Sequence, residues 1–413
     1  MLFQIFLVFI FLLSACQDPS KSPNELYSVL ALGSNQNSSS YAWNLPANIP
    51  APSVPASNPM SAEKVRLGRF LFYEKKLSGN RTMSCSSCHL QSIAFTDGKS
   101  VGEGSTGEFH TRNSMSLTNV AYNPRQTWNN TLLFSLEQQG VLPVTGDNPV
   151  ELGLSLPDTE IRARLLEDSR YQPMFAAAFP GIAEPITLEN ILKAVASFQR
   201  TLLSFDSQYD KYTRKEASLT ASEKRGLSLF NGEVAECFHC HGGFNFSDAT
   251  THEQTRVDQA FYHNNGLYNI NGDFPSSNRG LIEVTGNVDD LGKFKAPTLR
   301  NIALTYPYMH DGSITCDDSN NPEKTAGATV DSCASDALAK VIDHYQNGGN
   351  NSTCDKTDVA FPCRSDSPIS TVDTTLIRKF SLTPGEKEDL VNFLKTLTDE
   401  TFITNSELSD PFQ

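Results

Sequence analysis

The stretch Cys237-Phe238-His239-Cys240-His241 decides how this chain is read. Two thiols lie about one turn apart and a histidine follows directly. That order, C-x-x-C-H, is the sequence signature of covalent attachment of a c-type haem. The thiols add across the two vinyl groups of one porphyrin, and the imidazole of His241 meets the iron from the same side. The pattern recurs at Cys85-Ser86-Ser87-Cys88-His89, far beyond chance for this Cys and His content. A structural zinc site would require a second ligand pair at finger-like spacing, and neither copy has one nearby. A thioredoxin-like C-x-x-C would want a βαβ context and no trailing histidine. Two covalently bound haem c groups are therefore expected.

The chain has 413 residues, which favours two domains over one small core. Its formal charge of −14 argues against nucleic acid or an anionic membrane as the main partner. A protein with a basic docking patch suits it better. Met1 to Leu13 is an apolar run too short and too close to the start to span a bilayer. It ends in Leu13-Ser14-Ala15-Cys16, similar to a bacterial lipoprotein cleavage box, although no Lys or Arg precedes it. The expected mature terminus is a lipidated Cys16, with an ordinary secretory signal as the rival reading. Either way the expectation is export to the periplasm, with anchoring at the outer membrane if the lipid is present. Covalent haem c assembly requires the same export.

Nine cysteines then divide into Cys16 for lipid, four for haem, and Cys316, Cys333, Cys354 and Cys363. An even remainder in an oxidising compartment reads as two disulfides, with three possible pairings. The short loops closed favour Cys316–Cys333 and Cys354–Cys363. Residues 1–15 are thus read as signal, 16–59 as a Pro/Ser/Asn-rich tether, and 60–215 and 216–413 as two halves with one haem each. Ser61 is placed to cap a helix carrying Val65, Leu67, Phe70 and Leu71. Helical periodicity returns over Asp158–Ser169 and Leu188–Ser204. Tyr209 to Ser218 reads as the link between halves. Thr220-Ala221-Ser222-Glu223 is a capping box, Leu338–Gln346 a helix stopped by Gly348-Gly349, and Thr383-Pro384-Gly385-Glu386 the start of the last helix. The fold class expected is mainly α: two cytochrome c-like domains with long loops, a degenerate tandem repeat.

These features together resemble the bacterial di-haem cytochrome c peroxidase family, which includes the tryptophan-modifying enzyme of methylamine dehydrogenase maturation. The likeness runs from about Lys64 to Leu397. It rests on Gly68-Arg69-Phe70-Leu71-Phe72, both C-x-x-C-H motifs, Asn148-Pro149-Val150-Glu151, Lys295-Ala296-Pro297-Thr298-Leu299-Arg300-Asn301 and Tyr306-Pro307-Tyr308-Met309-His310-Asp311-Gly312-Ser313. The run from Glu236 through the second motif to Ser247 is most similar to the methanobactin-associated di-haem enzymes, which act on a partner protein.

The resemblance implies roles for particular positions. Cys85, Cys88, Cys237 and Cys240 would bind the two haems, with His89 and His241 as proximal iron ligands. The sixth ligand of the C-terminal haem would be Tyr345, where classical peroxidases of the family carry Met and the tryptophan-modifying enzyme carries Tyr; a phenolate stabilises oxidised iron. His344 and Met309 are the alternatives. The N-terminal haem would meet hydrogen peroxide on an open face beneath Gln139 and Glu151, which take and return a proton. Gln138 remains an alternative to Gln139, a helix-start role an alternative for Glu151, and His110 a rival distal ligand read mainly as a loop histidine. Trp128, one of two tryptophans, would relay electrons between haems unless it is ordinary core. A Ca²⁺ ion would sit between the haems on the Asn113 side chain and the carbonyls of Thr305 and Pro307, completed by water. His310 would stand behind it or near a propionate.

Three functions fit these residues. One is a peroxidase oxidising side chains, such as Trp, on a periplasmic partner protein through a high-valent state shared by both haems. Another is peroxide scavenging with electrons from a small cytochrome c or cupredoxin. The third, electron transfer alone, is disfavoured because a carrier has no use for an acid–base group over an open haem.

Overall fold

The computed structural model describes residues 41–255, 259–268, 274, 278–316, 332–349, 372 and 375–413. The signal segment, Cys16 and most of the tether lie outside them, as do Cys354 and Cys363. Among the described residues there is no sheet, only isolated bridges such as Leu90 with Thr96 and His263 with Phe294. The architecture is mainly α, as expected.

In the first half, α1 (Ala62–Tyr73) starts where Ser61 accepts from the Lys64 N–H at 3.2 Å. The helices α2 (Leu136–Thr145), α3 (Asp158–Leu165), α4 (Tyr171–Ala178) and α5 (Leu188–Gln199) follow. A short α6 (Gln208–Thr213) leads to α7 (Ala221–Phe230), α8 (Ile282–Thr285), α9 (Ser332–Gln346), α10 (Pro384–Lys395) and α11 (Glu400–Thr404). The capping boxes at Thr220 and Thr383 form as the sequence demands, each with its Glu reaching back.

The two halves are built alike. Gly68 of α1 lies so close to α5 that a Cβ there would come within 1.9 Å of the Ala194 carbonyl oxygen and 2.9 Å of Phe198 Cβ. Gly226 of α7 stands likewise against α10, a Cβ meeting the Asp389 oxygen at 2.0 Å and Phe393 Cβ at 2.8 Å. Only glycine permits helices to cross at that distance. Each crossing closes one apolar core: Leu67, Leu71, Phe72, Ile191 and Phe198 in the first, Phe230, Leu338, Leu390 and Phe393 in the second.

Several expectations are adjusted. The helices at 158 and 188 end earlier than periodicity suggested, and α9 begins earlier. The stretch from Tyr209 is not a loose link. In α6, Tyr209 packs on Phe246 and Phe393, and Asp210 pairs with Arg300 at 2.9 Å. The C-terminal tail crosses back to the first core: Phe402 and Leu408 are buried there, and Arg69 and Tyr73 donate to carbonyls of Ser409 and Leu408. Cys316 and Cys333 form a disulfide, the pairing favoured from loop length.

Candidate haem sites and peroxide pocket

Each C-x-x-C-H motif forms a tight turn, Cys85–Ser87 and Cys237–His239, and each histidine is oriented from behind. His89 Nδ1 lies 2.8 Å from the Phe95 carbonyl, and His241 Nδ1 3.2 Å from that of Phe246. A carbonyl can only accept, so Nδ1 carries the proton and Nε2 keeps its lone pair for a metal. Phe95 and Phe246 both adopt left-handed backbone, φ 59° and 50°, which turns their carbonyls toward the rings. Burial lowers the proton affinity of both imidazoles, favouring the neutral ligand form. Burial also pushes the thiols of Cys85, Cys88 and Cys237 up to about 12.

Two cavities adjoin the motifs. One, of about 630 Å³, is lined by Cys85, Cys88, His89, His110, Gln139 and Glu151; the other, of about 240 Å³, by Cys237, Cys240, His241, Lys295, His310 and Tyr345. The second fits a haem on its own chemistry. Lys295 is fully buried and its ammonium is disfavoured there, and His310 Nε2 is buried without a protein partner. A buried amine and an orphaned ring nitrogen call for hydrogen-bond partners that the carboxyl groups of a porphyrin provide. Among the described residues the one three-membered group of metal-ligating type is Cys240, Asp248 and His263. Cys240 belongs to the haem motif, and Asp248 and His263 already pair at 2.6 Å.

In the first cavity the sequence alternatives separate. Gln138 is exposed and its Oε1 accepts from the N–H groups of Phe134 and Ser135, so it is a helix cap. Gln139, one residue on, lines the cavity. Glu151 is in no helix start; the next helix begins at Asp158. It is held by Gly104, whose close approach to Val150 leaves no room for a Cβ, and by the Ser105 N–H donating to the Glu151 carbonyl at 2.7 Å. Desolvation pushes the Glu151 carboxyl up to about 7. His110, in a loop, also lines this cavity, its Nε2 3.9 Å from Glu151 Oε1.

Trp128 lines both cavities, with its indole N–H donating to the Asn113 carbonyl at 2.9 Å. Asn113, Thr305 and Pro307 line one wall of the second cavity; Asn113 Nδ2 donates to the Lys99 carbonyl at 2.7 Å. Tyr345, on α9, reaches the same cavity. The amide of Asn265 stands 3.4 Å from the Tyr345 hydroxyl and 3.4 Å from Met309 Sδ. His344 is occupied elsewhere, Nε2 lying 3.0 Å from the Asn265 carbonyl. Asn265 escaped the sequence reading because it sits in a loop without periodicity.

Two cytochrome c-like cores, each presenting a C-x-x-C-H histidine to its own cavity, define a di-haem c-type protein with a peroxidase fold. Residues 62–218 match the family described as di-haem cytochrome c peroxidase. The chain is 30% identical over 371 residues to cytochrome-c peroxidase IdrP1 of Pseudomonas sp. (strain SCT), covering 85% of both chains. It is 29% identical over 349 residues to methylamine utilization protein MauG of Methylorubrum extorquens, covering 84% of this chain and 81% of that one. A solved structure of a MauG-like protein associated with microbial copper homeostasis superposes with TM-score 0.78 and 46% identity, over 90% of this chain and all of that one. The chain belongs to the di-haem cytochrome c peroxidase family, and it is an oxidoreductase of that family carrying two haem c groups.

Proposed function

We propose that this peroxidase uses hydrogen peroxide to oxidise side chains, such as tryptophan, on an exported partner protein. The observation that carries this reading is Tyr345: a phenol in the second haem cavity, with His344 turned away to the Asn265 carbonyl. A phenolate ligand favours oxidised iron, which suits a protein that stores oxidising equivalents more than one that must be reduced before it works. The likeness to MauG and to the copper-associated MauG-like protein supports the same choice.

In this reading Cys85, Cys88 and His89 hold the first haem, and Cys237, Cys240, His241 and Tyr345 the second. When bound, the haems accept the two oxidising equivalents of peroxide. Glu151, desolvated and close to neutrality in its proton affinity, takes the proton from the near oxygen of peroxide and returns it to the leaving oxygen. Gln139 steadies the peroxide by hydrogen bonding, and Trp128 spans the two cavities as a relay. Asn113 with the Thr305 and Pro307 carbonyls would hold Ca²⁺, neutral hard oxygens completed by water. Residues 60–215 and 216–413 form the two haem halves, and the lipid anchor on Cys16 after removal of residues 1–15 places the protein at the periplasmic face of the outer membrane. No helix among the described residues is long and apolar enough to cross a membrane.

A second reading, scavenging with electrons from a small cytochrome c or cupredoxin, is favoured by Met309, whose sulfur shares the Asn265 amide with Tyr345. Adding one equivalent of peroxide to the fully oxidised holoprotein separates the two. Direct reaction to a long-lived state holding two oxidising equivalents supports partner oxidation. No reaction until one haem is reduced, followed by steady turnover with reduced cytochrome c, supports scavenging.

A further inference from the structure

Beyond the relay between the cavities, a second line of rings leaves Trp128 in another direction. The Trp128 ring meets His310 edge-on at 6.5 Å between centroids, and His310 meets Tyr268 edge-on at 5.2 Å. His310 is buried and stacked flat on Phe294 at 3.6 Å, so its orientation between the two is fixed. Tyr268 is half-buried, and its hydroxyl donates to Asp311 Oδ2. The other oxygen of that carboxylate accepts from the Ser313 N–H at 3.0 Å, which leaves Oδ2 facing the phenol.

A phenol beside a carboxylate is a particular kind of redox group. One-electron oxidation of tyrosine makes the phenolic proton strongly acidic, and the oxidation proceeds at an accessible potential only if a base is already hydrogen-bonded to receive it. We propose that Tyr268 with Asp311 is a proton-coupled redox station. It is the outer end of a path Trp128–His310–Tyr268 through which electrons from an oxidisable side chain of a protein partner enter the molecule.

In each passage Tyr268 gives one electron toward Trp128 and its proton to the Asp311 carboxylate, becoming a neutral tyrosyl radical. The donor side chain then returns an electron, and Asp311 returns the proton. Two passages supply the two electrons that, with two protons, reduce one hydrogen peroxide to two waters. Burial, with the Asp311 carboxylate adding to it, holds the resting phenol protonated, so the station is closed until an oxidant draws on it.

The inference rests on Trp128 as the relay, and the test keeps the two apart. Holoprotein carrying ring-deuterated tyrosine is mixed with peroxide and freeze-quenched for EPR, alongside Tyr268→Phe, Asp311→Asn and Trp128→Phe, each with its haem absorption checked first. The expected result is a tyrosine radical, identified by narrowing on deuteration, that is lost in Tyr268→Phe and reduced in Asp311→Asn, where the proton acceptor is gone but the shape is kept. No tyrosine radical in the unaltered protein, or one that persists in Tyr268→Phe, overturns the proposal. A radical that disappears in Tyr268→Phe but survives in Trp128→Phe refutes the path through Trp128 and leaves the reading of peroxide chemistry intact.

Discussion

The indole N–H of Trp128 donates to the main-chain carbonyl of Asn113 at 2.9 Å, and both residues line the second haem cavity while Trp128 also lines the first. The bond fixes the ring plane between two sites that, among the described residues, share no other large oxidisable ring in their linings. Replacing Trp128 by Phe keeps the packing and removes both the hydrogen bond and the easily oxidised ring. The expected outcome is two haems whose ligation is unchanged but whose potentials and peroxide-induced spectra no longer respond to one another. Spectroelectrochemical titration measures this; interdependent potentials in the variant would reduce Trp128 to packing.

Glu151→Gln preserves shape and abolishes proton exchange. The reaction with peroxide should slow by about 10²–10⁴, the range typical of general acid–base groups. The direction with pH follows from its carboxyl standing raised, at about 7. As a base it must start ionised, so the rate should rise with pH through that region and level off above it. Stopped-flow mixing across that range should show the rise in the native protein and a flat, low rate in the variant.

Asn265 touches Tyr345, the proposed ligand of the second iron. Its amide donates toward the Tyr345 hydroxyl, and its carbonyl occupies His344. Asn265→Leu removes the donor to a phenolate oxygen, so the phenolate-to-iron charge-transfer band should shift while haem content stays the same. His344 provides an internal control, since its contact is with the Asn265 backbone and survives the change.

Asp210 and Arg300 form a nearly buried pair that fastens α6 to the second half, Arg300 also donating to the Phe244 carbonyl just before the His241-orienting turn. Burial alone would raise the Asp210 pKa, but the Arg300 hydrogen bond and charge and the Ser207 bonds outweigh it and hold the carboxyl below its ordinary value. A depressed folded pKa means the stabilisation is present above the ordinary carboxylate value and is lost as pH falls through the lowered one. Asp210→Asn leaves a buried guanidinium unpaired, at a cost of roughly 3–5 kcal/mol. Thermal unfolding at neutral pH should show a large loss that narrows in acid.

The legible parts of this fold were local. Both haem motifs, the capping boxes at Thr220 and Thr383, and the Ser61 cap announce themselves within a few residues because short-range hydrogen bonds decide them. The helix Leu136–Thr145 was hidden by Gly140 and Pro143, poor helix formers that tertiary packing overrides; its cap on Gln138 is what leaves Gln139 for the cavity. The return of Phe402 and Leu408 to the first core, the meeting of His110 with Glu151, and the seat of Asn265 beside Tyr345 join residues far apart in the chain. No periodicity encodes such pairs.

Partner-protein oxidation by this peroxidase, as proposed, depends most on the Tyr345 oxygen closing the second iron. Resonance Raman spectroscopy of the oxidised holoprotein, excited in the phenolate-to-iron charge-transfer band, reads that bond directly in native protein and in Tyr345→Phe. Tyrosinate modes present in the native protein and absent from the variant, with two haems retained in both, are the predicted result. Identical spectra from the two proteins would mean that another residue, Met309 foremost, ligates the iron, and the case for partner-protein oxidation would lose its structural ground.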